Sequence, residues 1–488
     1  MDEAEALRQQ GKLIQAQRIC ETVLQRYPDY VGMLHTLGLV LADRGHFKQS
    51  LAPLVQAAML NPRDWRTLTA LSGVYLRLGA AETAIRTLEQ AREIEPEDAS
   101  IHATLGEILY ATREYEAAAA AYERALSRAP ELHDIHIKLA ECHLHMGRAA
   151  PAAKAALAVL ERDPSKMSPL DILSRVPDDL HDIDVLRRLD AARNNSTDSD
   201  EVWGARVAFT RARLLDAKGD HDRAWTNLET ANAHKARLFA EEQARDAANR
   251  DTFLERLASV KPLPEPKGKP EAGHTVTLYV LGPSRSGKTT AESIVATLPG
   301  VSRGFENRLL EVAVRQTFQD AGLLSRDWIG DLPIPLEKPF QDNYARELKA
   351  RAADAAIFTN THPGHMSAAV RLAAFVPEAR FMLMRRNVDD LALRIYMKNY
   401  DSGNSYAYAL PAIRAYLDWY NAMIDAAMQL MPGRCAQVSY EEMVADPSCV
   451  RARAAALCGI EDGGGDLPAV PDDRGCADPY SQWMKSAG

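Results

Sequence analysis

Val276-Thr-Leu-Tyr-Val-Leu-Gly-Pro-Ser-Arg-Ser-Gly-Lys-Thr289 sets a short apolar run, Val276 to Leu281, directly before a glycine-rich loop, with a helical pattern from Thr289 to Leu298 behind it. The order is strand, loop, helix. Within it, Gly282-x-x-x-x-Gly287-Lys288-Thr289 has the spacing of a phosphate loop. In such a loop glycines let backbone amides turn toward phosphate oxygens, and the following helix N-terminus favours an anion. An ordinary glycine turn is the competing reading, and the flanking strand and helix favour anion binding. Further apolar runs at Ala355 to Thr359, Phe381 to Met384 and Ala436 to Val438 alternate with helical stretches such as Leu410 to Met431. That alternation implies an α/β domain over 275–488, with a parallel sheet flanked by helices.

Upstream of the strand lies Lys261-Pro-Leu-Pro-Glu-Pro-Lys-Gly-Lys-Pro270, whose prolines lack amide donors and forbid regular helix, so 261–274 is expected as a stiff linker. Further upstream the signal changes to a 34-residue period. Pro28, Pro62, Pro96, Pro130 and Pro164 keep that spacing without a slip, as do Leu37, Leu71, Leu105 and Leu139, then Ala57, Ala91 and Ala125. Small residues (Gly38, Ser72, Gly106, Ala140) follow the leucines where one helix must approach its neighbour, and Gly45, Gly79 and Gly147 fall in the turn between paired helices, a series only Arg113 interrupts. The pattern resembles the tetratricopeptide repeat, with four full units from about Tyr30 to Pro164. Helix pairs of this kind bury their apolar faces only by stacking, so the resemblance implies an all-α solenoid over 1–166 whose groove takes a protein or peptide partner. Residues 167–260 read as a helical extension, with a further repeat-like helix pair from Val207 to Leu238.

A chain of 488 residues exceeds one hydrophobic core, in keeping with two architectures. A net charge of -9 argues against general nucleic-acid binding, which needs a broad basic face, while leaving room for a local cationic site. The start, Met-Asp-Glu-Ala-Glu-Ala, has no basic segment followed by an apolar run, and no stretch of eighteen apolar residues occurs, so a cytoplasmic protein without membrane contact is expected. Six cysteines without a Cys-x-x-Cys pairing read as reduced thiols rather than as staples or zinc ligands.

Three segments carry a second resemblance. Pro-Ser-Arg-Ser-Gly-Lys-Thr-Thr290 is similar to the 5'-phosphosulfate loop of sulfotransferases, usually Pro-Arg-Ser-Gly-Thr-Thr. Phe381-Met-Leu-Met-Arg-Arg-Asn-Val-Asp-Asp390, continuing to Ile395-Tyr-Met-Lys-Asn399, resembles the strand and helix that hold the donor's 3'-phosphate in that family. Val438-Ser-Tyr-Glu-Glu-Met-Val-Ala-Asp-Pro447 resembles the Tyr-Glu-Asp-Leu-Val-x-Asp-Pro segment that follows there. With repeats in front, the arrangement looks like the bacterial tetratricopeptide-repeat sulfotransferases, whose C-terminal domain resembles the tyrosylprotein and cytosolic enzymes.

The resemblance implies 3'-phosphoadenosine 5'-phosphosulfate as co-substrate, no metal, and transfer to a hydroxyl or amine. The donor would be held by Arg285, Ser286, Gly287, Lys288, Thr289 and Thr290 at its 5' side and by Arg386, with Arg394, at its 3'-phosphate. Lys288 would stabilise charge growing on the leaving phosphate. The acceptor's proton calls for a base. Glu306, in Val301-Ser-Arg-Gly-Phe-Glu-Asn-Arg308, has the spacing of the glutamate base of tyrosylprotein sulfotransferases, and His362, in Asn360-Thr-His-Pro363, sits where cytosolic ones carry Lys-Thr-His. The sequence leaves both candidates open.

The chain departs from the family at three positions: Lys288 replaces a usual threonine, Arg394 a serine that completes the 3'-phosphate site, and Thr361 a lysine. Arg394 is open to two readings, a second cation or an obstruction. A P-loop kinase or ATPase is one alternative, although it needs an acidic magnesium ligand after a second strand, where this chain has Arg385-Arg386. The other is a catalytically weak repeat-based binding module. His362 and His365 suggest a metal pair only if a third ligand joins them, and the sequence places none nearby.

Overall fold

In the computed structural model the chain forms two compact units, Met1–Thr197 and Asp198–Gly488. The structure describes residues 2–78, 80–164, 166–181, 183–191, 199–266, 274–324, 326, 328–352, 354–400 and 403–486. Gly79 of the turn series and 267–273 of the expected linker lie outside the described residues.

The first unit is built of antiparallel helix pairs that follow the period: Val31–Asp43 with Phe47–Leu60, Trp65–Arg77 with Ala81–Ile94, Ala99–Ala111 with Tyr115–Arg128, and His133–His145 with Ala149–Arg162. The small positions let the partner helix close in. A Cβ on Gly106 would lie 2.4 Å from the Tyr122 ring, and one on Gly38 2.3 Å from the Leu54 side chain. Ser72 instead ties the pair together, its Oγ donating to Ala84 O at 2.7 Å in the core. In three of the pairs the described turn passes through one left-handed residue: Gly45 at φ 77°, Gly147 at φ 70° and Arg113 at φ 64°. The repeat geometry thus overrides the side chain, at a cost of about 1 kcal/mol for a residue with a Cβ. Arg113→Gly is expected to stabilise the protein by about that amount, seen as a higher melting temperature; an unchanged or lower one would contradict this account of the turn.

The second unit contains five parallel strands, β1 (Val276–Leu281), β2 (Val301–Ser302), β3 (Ile357–Asn360), β4 (Ala379–Arg385) and β5 (Cys435–Ser439), in the order β2-β3-β1-β4-β5. Side chains alternate across the sheet. Tyr279, Leu281, Phe381 and Leu383 face one apolar layer with Phe340, Phe375 and Ile424. Leu278, Val280, Met382 and Met384 face the other, with Ile294, Val438, Met443 and Ala454. Burial on both faces explains why β1, β3 and β4 read as near-continuous apolar runs. In a parallel sheet all C-terminal ends point one way, so the segments after β1, β3 and β4 emerge at a common edge.

The boundary between the units falls inside the stretch expected as a helical extension. Asp200–Ala217 and His221–Leu238 do form a pair, turning at Gly219 with φ 74°, but they and Ala240–Ala258 belong to the unit that contains the sheet. The reason is specific packing. Trp225 lies 5.5 Å from Tyr396 and 6.0 Å from Trp483 between ring centroids. Asn232 Nδ2 donates to Tyr396 O at 2.9 Å and Lys235 Nζ to Tyr400 O at 2.9 Å. The described part of the proline-rich segment, 261–266, is neither helix nor strand. No helix among the described residues is long and apolar enough to cross a membrane.

Candidate active site

β1 runs into the glycine loop, and helix Lys288–Val295 begins at Gly287, whose φ of 93° only glycine adopts readily. A Cβ at Gly282 would meet Ser286 Oγ at 2.4 Å and Met384 Cβ at 2.8 Å, so the turn also needs a bare backbone to pass under β4. Arg285 is left-handed at φ 68°. Ser286 is fully buried and its Oγ makes no hydrogen bond to the protein. Ser284 Oγ and Tyr400 OH share a hydrogen bond of 2.7 Å, tying the loop to the segment after helix Val388–Tyr396.

Lys288 is buried, its Nζ donating to Pro283 O at 2.8 Å. Burial lowers its pKa from 10.5 to about 8, with Glu306 opposing that shift and Arg285 adding to it. The ammonium is folded into its own loop, where an anion would restore what desolvation removes.

Beyond β4, Arg386 and Arg394 converge on one carboxylate. The Arg386 guanidinium is buried over the Tyr440 ring at 4.1 Å. One of its amino groups donates to Arg285 O at 3.0 Å, and the other to Asp473 O at 2.9 Å and Oδ2 at 2.8 Å. Arg394 Nε donates to both Asp473 oxygens, at 3.1 and 2.8 Å, and its NH2 group bonds Oδ1 as well. Burial works against charge on Arg394, and its bonds to Asp473 outweigh that, raising its pKa. Burial likewise works to raise the pKa of Asp473, but the two arginines leave it lowered. Arg394 and Arg386 thus share one acidic partner, Asp473.

The two base candidates sit on loops locked to each other. Thr361 N donates to Phe305 O at 2.8 Å, and Asn360 Nδ2 donates to Asn307 O at 3.2 Å. Glu292, fully buried on the helix behind the glycine loop, accepts from Phe305 N at 3.0 Å, Thr359 Oγ1 at 2.6 Å and Arg303 at 2.9 Å. It therefore fastens the Glu306 loop to β3 and to the helix that follows the glycine loop. Phe305, immediately before Glu306, is held left-handed at φ 52°. The charge of Glu306 is felt at both Lys288 and His362, so all three share one neighbourhood.

His362 is half-buried. Its Nδ1 accepts from Gly364 N at 3.3 Å, which places the proton of the neutral ring on Nε2. Burial, then the neighbouring His365, lowers its pKa. The third ligand-type group that the sequence did not place beside the histidines is Glu311: its carboxylate, His362 and His365 hold atoms within 4.8 Å of one another. Glu311 Oε1 accepts from His365 Nε2 at 3.0 Å, so those two are already paired.

A cavity of about 440 Å³ adjoins the glycine loop and the segment after His362. It is bounded by Ser284, by Pro363 and Gly364 behind His362, and by aromatic groups including Tyr406, Tyr416 and Trp419. Asp246, Asn249, Arg250 and Phe253 of helix Ala240–Ala258 form another wall. Sequence reasoning missed these residues, as it missed Glu292 and Asp473. The spacing of 246, 249, 250 and 253 on one helical face was the available signal.

Residues 278–463 match the sulfotransferase family, and residues 103–166 match the tetratricopeptide repeat. The chain thus carries tetratricopeptide repeats ahead of a domain that matches the sulfotransferase family. No curated protein matches the chain. Among solved structures, a thermophilic repeat protein of Thermus thermophilus is 23% identical with a TM-score of 0.34, covering 36% of this chain and 96% of that one. PilF of Pseudomonas aeruginosa is 20% identical with a TM-score of 0.35, covering 41% of this chain and 88% of its own. In the sulfotransferase-family domain, β1, the glycine loop, Glu306, His362 and both arginines fall inside the matched segment, save for the first two residues of β1, whereas Asp473 and helix Ala240–Ala258 lie outside it.

Proposed function

We propose that the domain transfers a sulfuryl group from 3'-phosphoadenosine 5'-phosphosulfate to an acceptor hydroxyl or amine, and that the repeats bind a protein or peptide. The observation that carries this reading is the pair Arg386 and Arg394, aimed at one anion and joined to the glycine loop through Arg285 O. Two anion sites so linked suit a nucleotide phosphorylated on both sides of its ribose. β4 ends in cations where a nucleotide kinase needs an acid for magnesium, which favours sulfuryl over phosphoryl transfer.

The donor supplies the sulfuryl group and a phosphate leaving group. Backbone amides from Ser286 to Thr290, the hydroxyls of Ser286 and Thr289, and the Lys288 ammonium surround the 5' side, with Arg285 adding charge at the rim. Their role is to hold and neutralise the leaving oxygens. Glu306 takes the acceptor proton. His362, which carries its proton on Nε2 in this tautomer, acts as a donor that orients the acceptor oxygen. The cavity beside Ser284 and Pro363 receives the acceptor. Incubating the purified protein with sulfur-labelled donor and fractionated cell extract tests the reaction. Label is expected in an extract component only when the protein is present, and no label above the protein-free control would contradict transfer.

A further inference from the structure

Asp473 is placed where a donor phosphate would sit. We infer that its carboxylate is a built-in competitor for the 3'-phosphate, so that the segment around it closes the two-arginine subsite until the donor displaces it. This rests on the proposed donor reading, in which Arg386 and Arg394 form that subsite.

The contacts have the character of a ligand's. Asp473 accepts four side-chain hydrogen bonds from the two guanidinium groups, three from Arg394 and one from Arg386. One carboxylate brings a single negative charge to two arginines. A phosphate monoester brings nearly two, with three oxygens for the same forks, so it matches the pair better than Asp473 does. Without either anion the Arg386 side chain, 4% exposed, would lie buried without a charge partner, which is strongly unfavourable. The carboxylate thus keeps the subsite assembled and weakens every ligand that must displace it.

The flanks of the segment are held by contacts other than the Asp473 carboxylate. Pro471 O accepts from Tyr440 OH at 2.6 Å. On the other side, Asp390 accepts from Gly475 N at 2.8 Å and Ala477 N at 2.9 Å. Asp472 and Arg474 bond each other, at 2.9 and 2.7 Å, and contribute nothing to the clamp. Asp473 can therefore leave while both anchors stay. Its position beyond residue 463 puts it outside the segment matched by the sulfotransferase family.

Displacement reduces apparent affinity by the fraction of molecules whose subsite is open. Calorimetry on the full chain with 3'-phosphoadenosine 5'-phosphate and with adenosine 5'-monophosphate, which lacks the 3'-phosphate, reads this directly. Asp473→Asn is expected to tighten the bisphosphate roughly tenfold or more and to leave the monophosphate within about twofold. Asp473→Glu, which restores the charge, is expected to return the bisphosphate affinity toward wild type, and it covers the case in which the Asn variant folds poorly. Equal bisphosphate affinity in wild type and Asp473→Asn, or weaker binding in the latter, overturns the inference while leaving the donor reading intact. If wild type and variants all bind the two nucleotides alike, the donor reading falls and this inference with it.

Discussion

Lys288→Ala is expected to lower the maximal rate of sulfuryl transfer by roughly a hundredfold or more, with saturating donor and acceptor. The argument starts from burial. Lys288 opens helix Lys288–Val295 directly behind the glycine loop, and desolvation lowers its pKa to about 8. An arriving anion restores that pKa, so the interaction strengthens as charge grows on the leaving phosphate. Differential stabilisation of this kind lowers the barrier rather than the Michaelis constant. The same depressed pKa has a separate signature in stability. Between pH 8 and 10.5 the unfolded chain holds more protons at this site than the folded one, so wild-type stability gains a contribution as pH rises through that window. Lys288→Met is expected to remove that contribution, as read from chemical denaturation at several pH values. An unchanged turnover in Lys288→Ala would take the residue out of the mechanism.

The second large effect is expected at Glu306. Glu306→Gln should lower turnover by about 10²–10⁴-fold, the usual range for loss of a general base, with donor affinity retained because the arginine clamp and glycine loop are untouched. His362→Asn should be milder, since the hydrogen bond from Gly364 N leaves Nε2 of the neutral ring as a donor rather than an acceptor. Rates and donor affinities of both variants, measured side by side, decide the assignment. Intact turnover in Glu306→Gln together with collapse in His362→Asn would reverse the two roles.

Local patterns in the sequence carry much of this account. The 34-residue period places the helix pairs and the turns at Gly45, Gly147 and Arg113, at the last of which position prevails over residue type. The glycine loop and the paired arginines after β4 are equally local signals, because a few neighbouring residues determine both backbone path and charge. Asp473 was not legible. Its partners are 87 and 79 residues away, and it stands in a proline- and aspartate-containing loop without periodicity. Glu292 was hidden for the opposite reason: it follows Ala291 in a short helix and reads as an ordinary polar position, while its three partners lie on two other segments. Helices 200–258 read as more solenoid because pairs of this shape look alike in sequence. What places them with the sheet is a handful of contacts such as Trp225 on Tyr396, which no helical period encodes.

The central claim is that the glycine loop and the two arginines form one site for an adenine nucleotide phosphorylated at both its 5' and 3' positions. Isothermal titration of the full chain with 3'-phosphoadenosine 5'-phosphate, and separately with ATP and magnesium, tests it most directly. The account expects the bisphosphate to bind at least roughly tenfold more tightly, with proton uptake near pH 8 as Lys288 regains its charge. Equal affinities, or a preference for ATP with magnesium, would contradict it.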